Sequence, residues 1–67
     1  MIDIVLNGVT HAIRPNLTIA SLLKELNLQD QRIAIELNGL IVSRTEHKNT
    51  LILSGDKLEI IKAIGGG

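Results

Sequence analysis

The fold is decided by residues 2–26, which read IDIVLNGVTHAIRPNLTIASLLKEL. Apolar residues alternate along residues 2–6, a pattern typical of a strand with one buried face. Asn7 and Gly8 then suit the two positive φ angles of a type I′ turn, and residues 9–14 extend again. The chain is therefore predicted to begin with a β-hairpin.

An amphipathic helix is predicted directly after the hairpin. Pro15 ends the second strand because proline has no amide hydrogen to donate to a ladder. Thr18 is a suitable N-cap, since its hydroxyl can accept from the amides of the first turn. Asn27, or the polar run after it, ends the helix. Four residues at helical spacing form the apolar stripe of this helix, namely Ile19, Leu22, Leu23 and Leu26.

The rest of the chain reads as further strands. A strand is predicted at residues 33–37, an Asn-Gly turn at 38–39 and a short extension at 40–42. A polar loop or helical turn follows at 43–49, then a short strand at 51–53 and a last strand at 57–64. One helix then has to cover one face of a small mixed sheet of four to five strands, which is the α+β arrangement called β-grasp or ubiquitin-like. We expect the first strand in the centre, the last strand parallel beside it, and the other sheet face open. Residues 1–64 form the predicted β-grasp domain, and residues 65–67 a flexible tail.

The composition excludes several kinds of chemistry. The 67 residues include no cysteine and no aromatic residue, and seven basic residues balance seven acidic ones. Without cysteine there is no disulfide, thiolate metal site or cysteine nucleophile, and no other metal site is predicted. Without a basic block or stacking rings, binding to nucleic acid or to a membrane surface is disfavoured. With no signal segment or long apolar run in this sequence, we expect a soluble cytoplasmic protein.

The candidate site is the end of the chain, Gly65, Gly66 and Gly67. Glycine has no Cβ, so three extended glycines can thread a narrow partner channel over about 10 Å. The terminal carboxylate is anionic at neutral pH. Its attack on the α-phosphate of ATP would give an acyl-adenylate, which sulfur or amine nucleophiles can open. The alternative is that the glycines are a cloning scar, a truncated linker or a frayed end.

Two segments and the glycine end together resemble the ThiS family, the sulfur-carrier proteins of thiamine biosynthesis. The segments are residues 33–44, IAIELNGLIVSR, and residues 53–60, LSGDKLEI. The resemblance spans the whole chain, and the order and spacing of the pieces carry it. Ser43 stands where the family often has proline and His47 where tryptophan is common, which puts the shape of that loop and the choice of partner in doubt.

The resemblance implies a protein co-substrate and not an enzyme. The Gly67 carboxylate would be adenylated by an E1-like adenylyltransferase (ThiF type), with no cofactor bound to this chain and ATP used by the partner. A persulfide from a cysteine desulfurase would supply sulfur, giving a thiocarboxylate that donates it to thiazole synthase (ThiG type). Gly66 and Gly67 carry over directly from the family, whereas Gly65 matches only members that end in three glycines.

A partner-docking face is also predicted. Val5, Ile61 and Ala63 have the opposite parity to the core positions, so they would lie on the open side of the sheet. Lys62 and Arg44 could rim such an apolar patch. The alternative is scattered surface aliphatic residues of no special role. For the two imidazoles, His11 and His47, we expect structural or surface roles.

Three other functions remain open at this stage. The chain could be the small subunit of a molybdopterin synthase, although those subunits are usually longer and richer in aromatic residues near the end. It could be a ubiquitin-like modifier that forms isopeptide bonds with lysine. It could also be a β-grasp interaction module with an inert tail.

Overall fold

One mixed sheet of five strands is crossed by a helix in residues 1–62, the part of the chain that this computed structural model describes. The helix is short, with seven residues, and a 3-10 helix precedes the last strand. The elements are β1 Ile2–Leu6, β2 Val9–Ile13, α1 Ile19–Glu25, β3 Ile33–Leu37, β4 Leu40–Val42, the 3-10 helix Arg44–Asn49 and β5 Lys57–Lys62.

The strand order across the sheet is β2-β1-β5-β3-β4. Strand β5 runs parallel to β1, with Val5 opposite Lys57 and Leu6 opposite Leu58, and the other neighbours are antiparallel. This confirms the predicted α+β β-grasp fold and the parallel pairing of the first and last strands. The middle position belongs to β5 and not to β1, because β3 pairs along the other edge of β5.

The core lies between the helix and one face of the sheet. Ile4, Ile35 and Leu58 supply the sheet side, and each is 1% exposed. From α1, the predicted stripe residues Ile19, Leu22 and Leu23 are buried, but Leu26 is the C-cap and 41% exposed. The helix ends at Glu25, one residue before the last position of the stripe, and Asn27 follows with a positive φ of 59°, which confirms the predicted end near Asn27.

The turn and cap predictions are confirmed. Asn7 and Gly8 have φ angles of 49° and 81°, and Asn38 and the glycine after it have 51° and 87°. These are the left-handed values that a type I′ turn requires. At the helix start, the amide of Ser21 donates to the hydroxyl of Thr18 over 3.1 Å. The local chemistry of these positions therefore determines where the elements begin and end.

The predicted short strand at residues 51–53 is wrong. Only an isolated antiparallel bridge between Leu51 and Thr18 forms there. The segment pairs with the irregular stretch before α1, where the carbonyl of Leu17 accepts from the amide of Ile52 over 2.9 Å. No longer ladder can grow, because the partner stretch turns at Asn16, with φ 67°, and becomes helical three residues later, at Ile19. Ile52 is nevertheless 1% exposed and belongs to the core.

Candidate functional site

The last strand leads the chain towards its glycine end from the middle of the sheet. Strand β5 is described as far as Lys62, which is exposed and pairs with Ile33 of β3. Four of the predicted site residues lie outside the described residues, namely Ala63, Gly65, Gly66 and Gly67. The carboxylate chemistry of Gly67 and the division into domain and tail stay predictions.

Three predicted docking residues meet in one hollow at the end of β5, which we call the strand-end hollow. It has a volume of about 300 Å³ and is lined by Arg32, Ile33, Ala34, Arg44, Ile61 and Lys62. Ala34 lies opposite Ile61 in the antiparallel register of β3 and β5. Opposite residues share a sheet face, so this pair forms an apolar floor on the open side. The hollow therefore lies beside the last described residues of β5.

The rim of the strand-end hollow is cationic. Arg32, Arg44 and Lys62 line it, and no carboxylate does so among the described residues. Arg44 begins the 3-10 helix, and its Nη2 donates to the carbonyl of Gln31 over 3.3 Å. This bond ties the helix start to the segment before β3 and keeps the guanidinium beside the sheet end. Such an arrangement is suited to a partner surface that combines aliphatic and acidic groups.

Val5 lies on the open face as predicted but apart from the other docking residues. It pairs with Lys57, four residues before Ile61 on β5, which separates the two by about 13 Å along the strand. A different hollow contains Val5, together with Glu36, Lys57 and Glu59. This second hollow is mixed in charge, whereas the strand-end hollow is cationic. The structure thus places the described docking residues in two separate hollows.

His47 has a structural position. It is 7% exposed, and its Nε2 lies 3.1 Å from the carbonyl oxygen of Val42. A carbonyl only accepts hydrogen bonds, so Nε2 carries the proton and donates. His11 is exposed on the edge strand β2. Within residues 1–62 no group of three or more His, Asp or Glu side chains is placed to hold a metal ion. No helix in that range is long and apolar enough to span a membrane.

Sequence reasoning missed three residues of the strand-end hollow, namely Arg32, Ile33 and Ala34. For Ala34 a signal was available, because it alternates with the inward positions Ile33 and Ile35 and so had to face the open side. Arg32 carried no such signal, since it stands in an irregular segment whose path depends on the end of α1. Ile33 was predicted to be inward, and its half-buried position at the strand end lets it border the hollow as well.

Comparison with known proteins places the chain in a family. The family model described as the ThiS family matches residues 4–67. The crystal structure of the thiamine biosynthesis protein ThiS from Geobacter metallireducens superposes with a TM-score of 0.86 at 28% identity, covering 98% of this chain and 100% of that one. The solution structure of a thiamine biosynthesis protein from the same organism gives 0.81 at the same identity, covering 98% and 88%.

Relatives in sequence are of two kinds. A thiazole synthase from Paramagnetospirillum magneticum is 36% identical over 64 residues, which cover 96% of this chain but only 20% of that protein. The chain thus spans about a fifth of that longer relative. A protein called ycf40 from Porphyra purpurea is 36% identical over 66 residues, covering 98% of this chain and 93% of that protein. With a family model that extends over nearly all of its length and a matching fold, the chain belongs to the ThiS family.

Proposed function

We propose that this protein carries sulfur for the thiazole step of thiamine biosynthesis on the carboxyl group of Gly67. The observation that carries the proposal is that the family match continues to Gly67 and so includes the glycine end. The described residues hold no cysteine and no metal-binding cluster, so they offer neither a thiol nor a bound metal as another carrier of sulfur. The reactive group is then the one that the chain end provides.

The first step is activation of the carboxylate by an E1-like adenylyltransferase that binds ATP. A carboxylate oxygen of Gly67 attacks the α-phosphorus of ATP, and pyrophosphate leaves. The resulting acyl-adenylate has AMP as its leaving group and can be attacked at the acyl carbon. The chain itself binds no cofactor in this scheme.

Sulfur enters in the second step from a cysteine persulfide. The terminal persulfide sulfur attacks the acyl carbon, a carbon–sulfur bond forms, and AMP leaves. A thiol then attacks the cysteine Sγ of the resulting acyl disulfide, which breaks the S–S bond, releases the thiocarboxylate and leaves a disulfide between the thiol and that cysteine. The thiocarboxylate has its charge largely on sulfur, a soft nucleophile at neutral pH, and passes that sulfur to thiazole synthase.

The partner assignment has support from the sequence relatives. Proteins named thiazole synthase from two bacteria contain a segment similar to almost the whole of this chain. A carrier and the enzyme that receives its cargo gain a high effective concentration when they share one polypeptide. We therefore take thiazole synthase as the acceptor of the sulfur.

The test is intact mass spectrometry after incubation with ATP, the adenylyltransferase of the same organism, and cysteine with a cysteine desulfurase. We expect the gain of one sulfur in place of one oxygen, located at Gly67 by fragmentation. The matched control lacks Gly67, and we expect it to keep its melting temperature and to gain no sulfur. Sulfur on the truncated chain would refute the role of Gly67. Lysine conjugates would indicate a protein modifier, and an unchanged mass an inert module.

A further inference from the structure

A third hollow lies on the helix side of the sheet and has no role in the function proposed so far. We call it the helix-side hollow. Its volume is about 330 Å³, within the range of pockets that hold ligands or partner side chains. Its apolar floor comes from two elements, namely Ala20 and Leu23 of α1 and Ile33 of β3, and His47 closes it on the side of the 3-10 helix.

The charge around this hollow has one sign. Arg44 and Lys48 are the ionised residues that line it, and no carboxylate lines it among the described residues. Both cations are exposed, so they can pair with an incoming group. Asp30 and Glu46 stand next to lining residues in the sequence but do not line the hollow themselves. In a chain of zero formal net charge, this concentration of cations creates a local preference for acidic groups.

The helix-side hollow is adjacent to the strand-end hollow. Arg44 and Ile33 line both of them. The strand-end hollow in turn includes Lys62, the last described residue before the glycine end. A protein that holds the tail in its own active site therefore lies next to Arg44 and can reach around it to the helix side. A free small molecule would gain nothing from this proximity of the two hollows, so the position favours a segment of a protein.

We propose that the helix-side hollow binds a segment of thiazole synthase in which an aliphatic side chain is flanked by a carboxylate. The aliphatic group fills the floor between Ala20 and Leu23, and the carboxylate pairs with Lys48 and Arg44. This inference rests on the proposed function for the identity of the partner. It adds a docking element away from the open sheet face, which anchors the body of the carrier while the tail is engaged.

The experiment measures the dissociation constant between the full chain and the thiazole synthase of the same organism by isothermal titration calorimetry. Lys48→Glu reverses a rim charge, and Ala20→Leu fills the floor without changing charge. We expect each to weaken binding at least about tenfold. Lys24→Glu, the same charge change at an exposed site of α1 that does not line the hollow, is the control and should stay within about twofold. Unchanged amide NMR spectra away from the substituted site verify that each variant is folded.

Two features of the wild-type data add to the test. Binding should weaken as salt rises from about 0.05 M to about 0.5 M, and should do so less steeply for Lys48→Glu, because that variant replaces one attractive charge with a repulsive one. In a labelled chain, the amides of Ala20, Thr45 and Lys48 should shift when the synthase is added.

Each other outcome overturns the inference. Binding of Lys48→Glu and Ala20→Leu at wild-type strength would show that the hollow is not used. If wild type binds no synthase but still gains sulfur at Gly67, the docking inference fails and the carrier function stands. If the chain alone sediments as a dimer that Lys48→Glu dissociates, a second copy is the occupant. If hexanoate shifts the same amides while the synthase does not, the occupant is a small anion.

Discussion

The backbone amide of Ile60 donates a hydrogen bond of 2.7 Å to the side-chain Oδ1 of Asn7, 53 residues earlier in the chain. The backbone amide of Asn7 already donates to the carbonyl of Leu58 over 2.9 Å. The side chain thus extends the parallel ladder between β1 and β5 by one bond beyond the end of β1. A turn residue of the first hairpin thereby holds the strand that leads to the glycine end.

We expect substitutions of Asn7 to separate its two roles. Asn7→Ala removes the acceptor, which should lower the free energy of unfolding by about 1 kcal/mol. It also places alanine, which adopts left-handed angles less readily than asparagine, at φ 49°, for a further loss of about 1–2 kcal/mol. Asn7→Gly keeps the backbone angle and loses only the bond, whereas Asn7→Asp keeps an acceptor. Urea unfolding should therefore rank stability as wild type and Asp, then Gly, then Ala.

Hydrogen exchange of the Ile60 amide gives the control for this ranking. Exchange at Ile60 should accelerate in Asn7→Gly and Asn7→Ala and stay slow in Asn7→Asp. If the glycine variant unfolds at the wild-type urea concentration and protects Ile60 equally well, the side-chain bond contributes nothing to the ladder.

A buried residue outside any strand should contribute as much to stability as the buried residues of the strands. Ile52 is 1% exposed although only an isolated bridge forms beside it, whereas its neighbour Leu53 is 60% exposed. Ile52→Ala is expected to lose about 2–5 kcal/mol, comparable to the net stability of so small a core, and to be largely unfolded. The milder Ile52→Val should lose about 0.5–1.5 kcal/mol, and Leu53→Ala less than about 0.5 kcal/mol. Thermal and urea unfolding measure all three, and an equal loss at both positions would contradict the assignment of Ile52 to the core.

The contrast between these two residues marks how far the sequence predicts the fold. The first hairpin, the helix cap and the Asn-Gly turns depend on residues that are neighbours in the sequence, so local sequence patterns predicted where they lie. The apolar run around Ile52 has the composition of a strand, yet its neighbour in space is an irregular stretch near Leu17, which only the tertiary fold reveals. The place of β5 in the middle of the sheet is likewise decided by pairing over long separations.

The same distinction between local sequence patterns and long-range pairing applies to the candidate site. Alternation along β1 and β5 correctly assigned Val5 and Ile61 to the open face. It could not tell that the two are far apart, because their separation depends on the register between parallel strands. Nor could it place Arg44 and Ile61 in one hollow, since that arrangement needs the pairing of β3 with β5 and the position of the 3-10 helix together. The glycine end was located by its chemistry alone.

The strand-end hollow should influence how tightly the adenylyltransferase binds its carrier substrate. Ile61→Glu places a carboxylate on the apolar floor, and we expect the KM for the carrier to rise at least about tenfold with kcat little changed. Ile41→Glu is the matched control, because Ile41 is a more exposed aliphatic residue on the same face, at 66% against 47%, but does not line the hollow. Pyrophosphate release at varied carrier concentration gives both constants. Equal effects of the two substitutions would show that the enzyme does not use the hollow.

Changes at or next to Gly67 should abolish sulfur loading without affecting the fold. Gly66→Leu adds a branched side chain next to the reacting residue, where a partner channel has to close around the backbone, so we expect loss of adenylation with an unchanged melting temperature. Gly65→Ala adds only a methyl group one residue further back and should retain most activity. A chain extended by one alanine after Gly67 presents its carboxylate one residue, about 3.5 Å, beyond the native point and should not be loaded. Intact mass after incubation with ATP and the sulfur source measures each case. Sulfur loading of the alanine-extended chain, with the extension still attached, would mean that the reacting carbonyl is not tied to position 67.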